Sequence, residues 1–340
     1  MKLSWIPLLL ADPSPNLRYL VLKHLLDEQE ETAELQNIRL EDPIVKKLIA
    51  EQNPDGSWSQ ESIDGNAPHG KMQVTSQALT RLGYLELDHS AVSKAAEYLF
   101  SQQQKDGSWP LGNYMVDSDG FEGYDRMSLQ TSLILRGLAV AGYASDPRSE
   151  QAYDWLIEQQ LEDGAWPTGV AGDVYGYVAG YRRLPHSRWG CRSNTTSAVT
   201  CLSLHPERRR SSETRRGLDH LLGRETRERY NLGFDVARTV GFEPATGLIT
   251  YFARFDTAHI LRLVTRVEAS STDQRVKDLV DFIWAQQGDY GLWEYPKPMA
   301  SRWVTFEVLR NLREVLSESD WVNLEPRIPF RPYPPKKKRF

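Results

Sequence analysis

Two aspartates and a histidine stand where they could move a proton. Asp125 and Asp256 each fall at the start of an apolar helical segment, and His259 follows Asp256 by about one helical turn. A carboxyl group so placed acts as general acid or base if its surroundings shift its pKa, or caps the helix it precedes. His259 is in the same way a proton carrier or a buried, hydrogen-bonded side chain. A second set is basic: Lys71, Arg126, Arg192, Arg254 and Arg302 precede Thr75, Thr131, Thr196, Thr257 and Thr305 by three to five residues, with Arg18 as a candidate equivalent near the N-terminus. Helix N-termini attract anions through unpaired amides and the macrodipole, so guanidinium groups gathered there would add charge-assisted bonds to phosphate or carboxylate. Tyr124, Trp189, Tyr251, Phe255 and Trp303 fall beside these positions, together with His69, Met72, Gln130 and Asn194. Such aromatic rings stabilise a cation by their π faces or pack as ordinary core.

The elements that must position these residues are repeated. Gln52 to Trp58, Gln103 to Trp109 and Gln160 to Trp166 share the pattern Q-x4-G-x-W, and Gln287 to Trp293 is a looser fourth copy. The interval before the last tryptophan is about twice the others, which leaves room for a worn copy around Gly233-Phe234. Each copy follows a segment with helical apolar spacing, such as Val92, Ala95, Ala96 and Leu99, so the motif ends a helix: glycine supplies the left-handed turn, aspartate favours it, and tryptophan packs over it. Between the motifs run more apolar helices, as at Leu133 to Ala141, suited to burial on most sides. The pairs expected are 15–27 with 43–52, 72–84 with 91–103, 127–143 with 147–161, 194–205 with 211–224, and 255–267 with 273–287. The helix at 302–316 has the segment from Trp5 to Leu10 as its candidate partner. Six such hairpins can close into a double ring. An open solenoid would want polar capping repeats, which the ends do not supply.

Composition fits a soluble globular chain. Of 340 residues 40% are hydrophobic, the net charge is −5 and mean hydropathy is −0.53, with no apolar run of membrane-spanning length. Ten tryptophans are the one excess. Two cysteines, Cys191 and Cys201, make no disulfide framework, and the N-terminus carries no signal-peptide pattern, so a cytoplasmic location is expected. No nucleic-acid partner is expected at this charge. The basic run Lys336 to Arg339 reads as a solvated end, with peripheral membrane contact as its alternative role. The expected organisation is one domain over 1–320 and a proline-rich basic tail over 321–340.

The repeated Q-x4-G-x-W pattern resembles the QW motif of the terpenoid cyclase and protein prenyltransferase superfamily. Within it, the chain is most similar to small stand-alone proteins with prenyltransferase and squalene oxidase repeats. The resemblance implies an all-α fold, an (α/α)6 toroid with a central cavity. It also implies chemistry that the residues match only in part. Class II cyclases protonate an alkene with a D-x-D-D-T-A-like motif; the nearest stretch here, Ala253 to Ala258, keeps Asp256 and the Thr-Ala but has Phe255 where the proton donor would stand. Protein prenyltransferases bind zinc through a D-x-C pair and a distant histidine, and the D-x-C pair is missing.

The functional expectation is therefore a toroid that binds an isoprenoid or another amphiphilic small molecule, with a prenyl diphosphate head on the basic ring and the tail among the aromatics. No metal and no other cofactor is expected. Whether the chain is an enzyme stays open at this level. An active form would be a terpene-cyclase-like isomerase or lyase, or a prenyl-group enzyme. The alternative is a non-catalytic toroid holding a lipid or a protein partner, and sugar processing on a similar barrel is a third reading. The segment Pro167 to Trp189, rich in glycine and tyrosine, is a candidate cover for the cavity mouth.

Overall fold

The computed structural model describes residues 6–59, 70–110, 127–171, 174–175, 178, 182–222, 231–244 and 256–321. Among them the chain is all-α apart from a two-residue hairpin, β1 (Val170–Ala171) against β2 (Val174–Tyr175). The helices are α1 (Ile6–Leu10), α2 (Pro15–Val21), α3 (Gln29–Leu35), α4 (Pro43–Ala50), α5 (Lys71–Tyr84), α6 (Ser90–Ser101), α7 (Ser128–Leu138) and α8 (Pro147–Glu158). They continue as α9 (Arg192–Leu202), α10 (Ser212–Leu222), α11 (Phe234–Thr239), α12 (Thr257–Val267), α13 (Gln274–Trp284) and α14 (Pro298–Glu314).

Four of the expected hairpins form, α5 with α6, α7 with α8, α9 with α10 and α12 with α13; in the first unit α2 packs chiefly on α1 and α3 rather than on α4. Inner helices α5, α7 and α9 pack side by side, α12 packs on α14, and α4, α6, α8, α10 and α13 lie outside. Every residue of α7 and α9 is buried, which is what an inner ring with neighbours on all sides requires. α1 packs on α14, so the N-terminal segment does close the last hairpin. α3 was not legible in the sequence: no residue in it is buried, and nothing apolar marks its period.

The motif turns hold the ring together through one geometry used four times. The tryptophans Trp58, Trp109, Trp166 and Trp293 are fully buried, and each indole donates at 2.7 Å to a carbonyl in or near the last turn of the preceding helix: Leu48, Leu99, Leu156 and Ile283. Those carbonyls lack the regular amide four residues on, which bonds the following carbonyl instead, so the indole takes its place while its ring fills the joint. The tryptophan amides donate to Thr75, Thr131, Thr195 and Thr305 on the next inner helix. On α9 the acceptor is thus Thr195, one residue before the threonine expected from spacing. Gln52, Gln103 and Gln160 each bridge their own turn to the first turn of the next outer helix, at Ala91, Arg148 and Glu213. Gly107 shows why the turn needs glycine: its φ is +91°, and a Cβ there would sit 2.5 Å from the Gln151 carbonyl oxygen.

Candidate functional site

The fifth turn departs from this pattern, and its departure builds the centre of the molecule. Gly233 keeps the left-handed conformation, φ +89°, but the residue in the tryptophan register is Asp235. Its amide donates not to a threonine but to Asp256 Oδ2, at 2.7 Å. The chain then enters α11, whose residues 235–239 are all buried. α11 is surrounded by inner helices: Asp235 bonds to Arg136 of α7 and Arg262 of α12, the Thr239 carbonyl accepts from Arg81 of α5, and Gly233 lies against Val304 of α14. Among the described residues a short helix inserted between the fifth turn and α12 occupies the middle.

The centre is ionic. Arg136 grips Asp235 with both terminal nitrogens, at 2.9 and 2.8 Å, and Arg262 adds a third contact at 2.9 Å. Arg262 also donates to Glu307 of α14, which accepts from Tyr84 Oη at 2.9 Å and Asn311 Nδ2 at 2.9 Å. Burial pushes Asp235 up, but Arg136, His259 and Arg262 outweigh it and hold the carboxyl well below the usual range. Glu307 is likewise raised by burial and pulled down further by its arginines, to about 2.

Asp256 and His259, two of the residues expected to do acid–base chemistry, belong to this centre. Asp256 is the N-cap of α12: Oδ1 accepts from the amides of Gly233 at 2.8 Å, Ala258 at 3.1 Å and His259 at 3.4 Å, and Oδ2 from Asp235. Burial raises its pKa despite those amides, yet both oxygens are engaged as acceptors. His259 lies between Thr200 Oγ1, 2.8 Å from Nε2, and Asp235 Oδ2, 3.2 Å from Nδ1. Burial lowers it more than Asp235 raises it, so the neutral ring is favoured. The third expected residue, Asp125, lies outside the described residues, as do His69, Tyr124, Arg126, Tyr251, Arg254 and Phe255.

The basic positions that are described take separate partners. Lys71 is exposed and pairs with Asp55 of the first turn at 3.4 Å. Arg192 is buried on α9, with Nη2 3.5 Å from the Arg183 carbonyl. Arg18 is half-buried on α2. Arg302 pairs with Asp12 at 3.3 Å, joining α14 to the N-terminal segment. Trp189 is half-buried, with the Arg188 guanidinium 5.1 Å from its ring centroid. The segment after Trp166 is tied down by bridges from Pro167 to Gly190 and from Arg183 to Cys191.

Arg302 and Trp303 share a cavity. It measures about 760 Å³ and lies at the seam where the N-terminal segment and the start of α4 meet the fourth turn and the start of α14. Ile44, Phe242, Leu292, Tyr295, Met299 and Trp303 give it an apolar wall, and Asp12, Asp42, Glu294 and Arg302 its charges. Sequence reasoning named only Arg302 and Trp303 here. The ionic centre was missed as well, though its signal is present: Arg136, Arg262 and Glu307 are lone charges inside apolar helical runs, and such charges are buried only when paired.

The family match lies in the first half of the chain. The family profile for the squalene-hopene cyclase C-terminal domain matches residues 9–177, which include the first three motif turns. The squalene–hopene cyclase of Zymomonas mobilis is 33% identical over 137 residues, covering 38% of this chain and 20% of that protein. That of Bradyrhizobium diazoefficiens is 33% identical over 124 residues, 36% of this chain and 18% of the relative. The chain thus matches about a fifth of the length of these curated relatives. Among solved structures, the type II terpene cyclase MstE from Scytonema aligns over 79% of this chain and 95% of its own, with 16% identity and a TM-score of 0.33.

Proposed function

We propose that the chain, similar over residues 9–177 to the squalene-hopene cyclase C-terminal domain, holds an isoprenoid-like amphiphile at the ring seam and acts as a binding protein, without acid-initiated cyclisation at its centre. The observation that carries this reading is the contrast between the two places. The middle is taken by α11 and its ion pairs, whereas the seam offers an apolar cavity within the range of small-molecule sites, about 300–1,000 Å³. Trp303 and Tyr295 supply flat apolar surface for a prenyl chain, and Arg302, one-third exposed, supplies a cation for a diphosphate head. Asp256 fits the reading because its oxygens cap a helix and already accept four amides.

The test is titration of the full chain with geranylgeranyl diphosphate and geranylgeraniol, followed by native mass spectrometry and tryptophan fluorescence. Both ligands are expected to bind, and Arg302→Gln to weaken the diphosphate about tenfold while leaving the alcohol unchanged. Absence of binding by either ligand, or turnover of the diphosphate to a cyclic product, would overturn the reading. A cytoplasmic location belongs to the same proposal. Among the described residues no helix is long and apolar enough to cross a membrane.

A further inference from the structure

Arg266 is the one arginine of the α12 inner face whose charge has no counterpart among the described residues. It follows Arg262 by four residues, so the two guanidinium groups project from the same side of the helix, an arrangement that is repulsive for like charges. Arg262 is saturated by Asp235 and Glu307. Arg266 forms no hydrogen bond and no ion pair among the described residues. The charges that act on it most are Arg262, Glu307, Arg310 and Arg136: three of its own sign and one opposite. That one carboxylate is already occupied, with Oε1 accepting from Arg262 and Asn311 and Oε2 from Tyr84. Arg310, on the neighbouring α14, has only a 3.9 Å approach to Glu314. The bonds from Arg262 to Glu307 and from Thr265 to Asn311 set α12 and α14 in register, so that Arg266 lies level with Arg310; burial and then Arg262 push Arg266 down to about 9, although a guanidinium keeps its proton. Arg266 is partly exposed, so the group is open to a ligand from solvent.

The geometry points to an oxyanion site of the phosphate class at Arg266 and Arg310, distinct from the seam cavity and independent of the function proposed for it. The excess of arginines over free carboxylates favours a multiply charged phosphate or diphosphate over a single carboxylate. Bidentate guanidinium contacts suit its tetrahedral oxygens. The group bound is either a free inorganic anion or the head of a phosphate ester.

Isothermal titration of the full chain with inorganic diphosphate at low ionic strength tests this. In an Arg302→Gln background, which removes the cation of the seam cavity, the chain is expected to bind one equivalent with a Kd below about 1 mM, Arg266→Gln to weaken it at least tenfold, and Arg310→Gln by a smaller factor. The ligand-free Arg266→Gln protein is expected to melt higher than wild type, because an uncompensated charge has been removed. In the Arg302→Gln background diphosphate should raise the Tm, and it should no longer do so once Arg266→Gln is added. Competition with geranylgeranyl diphosphate separates the sources: displacement of inorganic diphosphate identifies an ester head, and simultaneous binding identifies a free anion. No binding in the Arg302→Gln background up to 10 mM, or an affinity unchanged by both Arg266→Gln and Arg310→Gln, would overturn the site. Arg310→Gln, at a half-exposed position, keeps the test decisive should Arg266→Gln not fold.

Discussion

Asp235 receives both terminal nitrogens of Arg136 across a sequence separation of 99 residues, and it does so from the position that holds a tryptophan in the other turns. The pair is almost fully buried, and Arg262 completes it. Removing one member of a buried ion pair strands the remaining charge and typically costs about 3–5 kcal/mol. Asp235→Asn is expected to lose stability on that scale, read as a lower urea midpoint with an unchanged m-value. A loss under about 1 kcal/mol would mean that solvent reaches Arg136 and that the centre is not closed.

The same network fixes the sign of the pH dependence. Asp235 and Glu307 are held below their ordinary values in the folded protein, Glu307 at about 2, so their stabilisation is complete above the unfolded carboxylate range and is lost as pH falls. His259 is also lowered, below 6.5, so it too favours folding at higher pH, and acidification through that value begins the loss. Asp256, raised by burial, opposes this trend only around the carboxylate range. The denaturation midpoint should stay flat above pH 7, decline gently through pH 6 and fall more steeply below pH 4.5. His259→Gln should flatten the gentle part alone, and a midpoint that rises from pH 7 to pH 5 would contradict a buried neutral His259.

The motif turns make a sharper comparison within one position. Trp109→Phe keeps most of the ring but removes the indole donor to the Leu99 carbonyl, which keeps its bond from the Gln102 amide; a loss of about 0.5–1.5 kcal/mol is expected. Trp109→Ala adds a cavity, and about 3–5 kcal/mol is expected. Thermal and urea unfolding of the two variants would separate the hydrogen bond from the packing. Near-equal losses would mean that the indole nitrogen contributes little to the joint.

These turns were legible because their information is local. Glycine and aspartate shape the turn, glutamine and tryptophan lie at fixed offsets from it, and helical periodicity precedes it, so the hairpins follow from short windows. The ionic centre is non-local. Arg136, Asp235, Arg262 and Glu307 come from four helices, and nothing near any one of them in sequence indicates its partner. The worn fifth copy at Gly233-Phe234 could be recognised from its spacing, and its glycine has the same positive φ as the others. That its missing tryptophan would be an aspartate turned into the ring could not, because the motif specifies what joins neighbouring units and not what fills the space they enclose. Asp256 could be read as a cap from its place before Thr257. Its second task, accepting the amides of Gly233 and Asp235, depends on the same inserted helix.

Arg302 tests whether binding can be separated from folding. Its contact with Asp12 is 3.3 Å long and its side chain is one-third exposed, so solvent screens the pair and its net worth is below about 1 kcal/mol. Arg302→Gln is therefore expected to fold with a urea midpoint close to wild type while losing affinity for a prenyl diphosphate. The complementary substitution, Ile44→Trp, adds volume at the opposite wall of the seam cavity. It is expected to reduce binding of both the diphosphate and the alcohol several-fold, because it removes space and leaves the cation in place. If Ile44→Trp left both affinities unchanged, the prenyl chain would have to lie elsewhere, and the seam would be a packing defect between the first and last units of the ring.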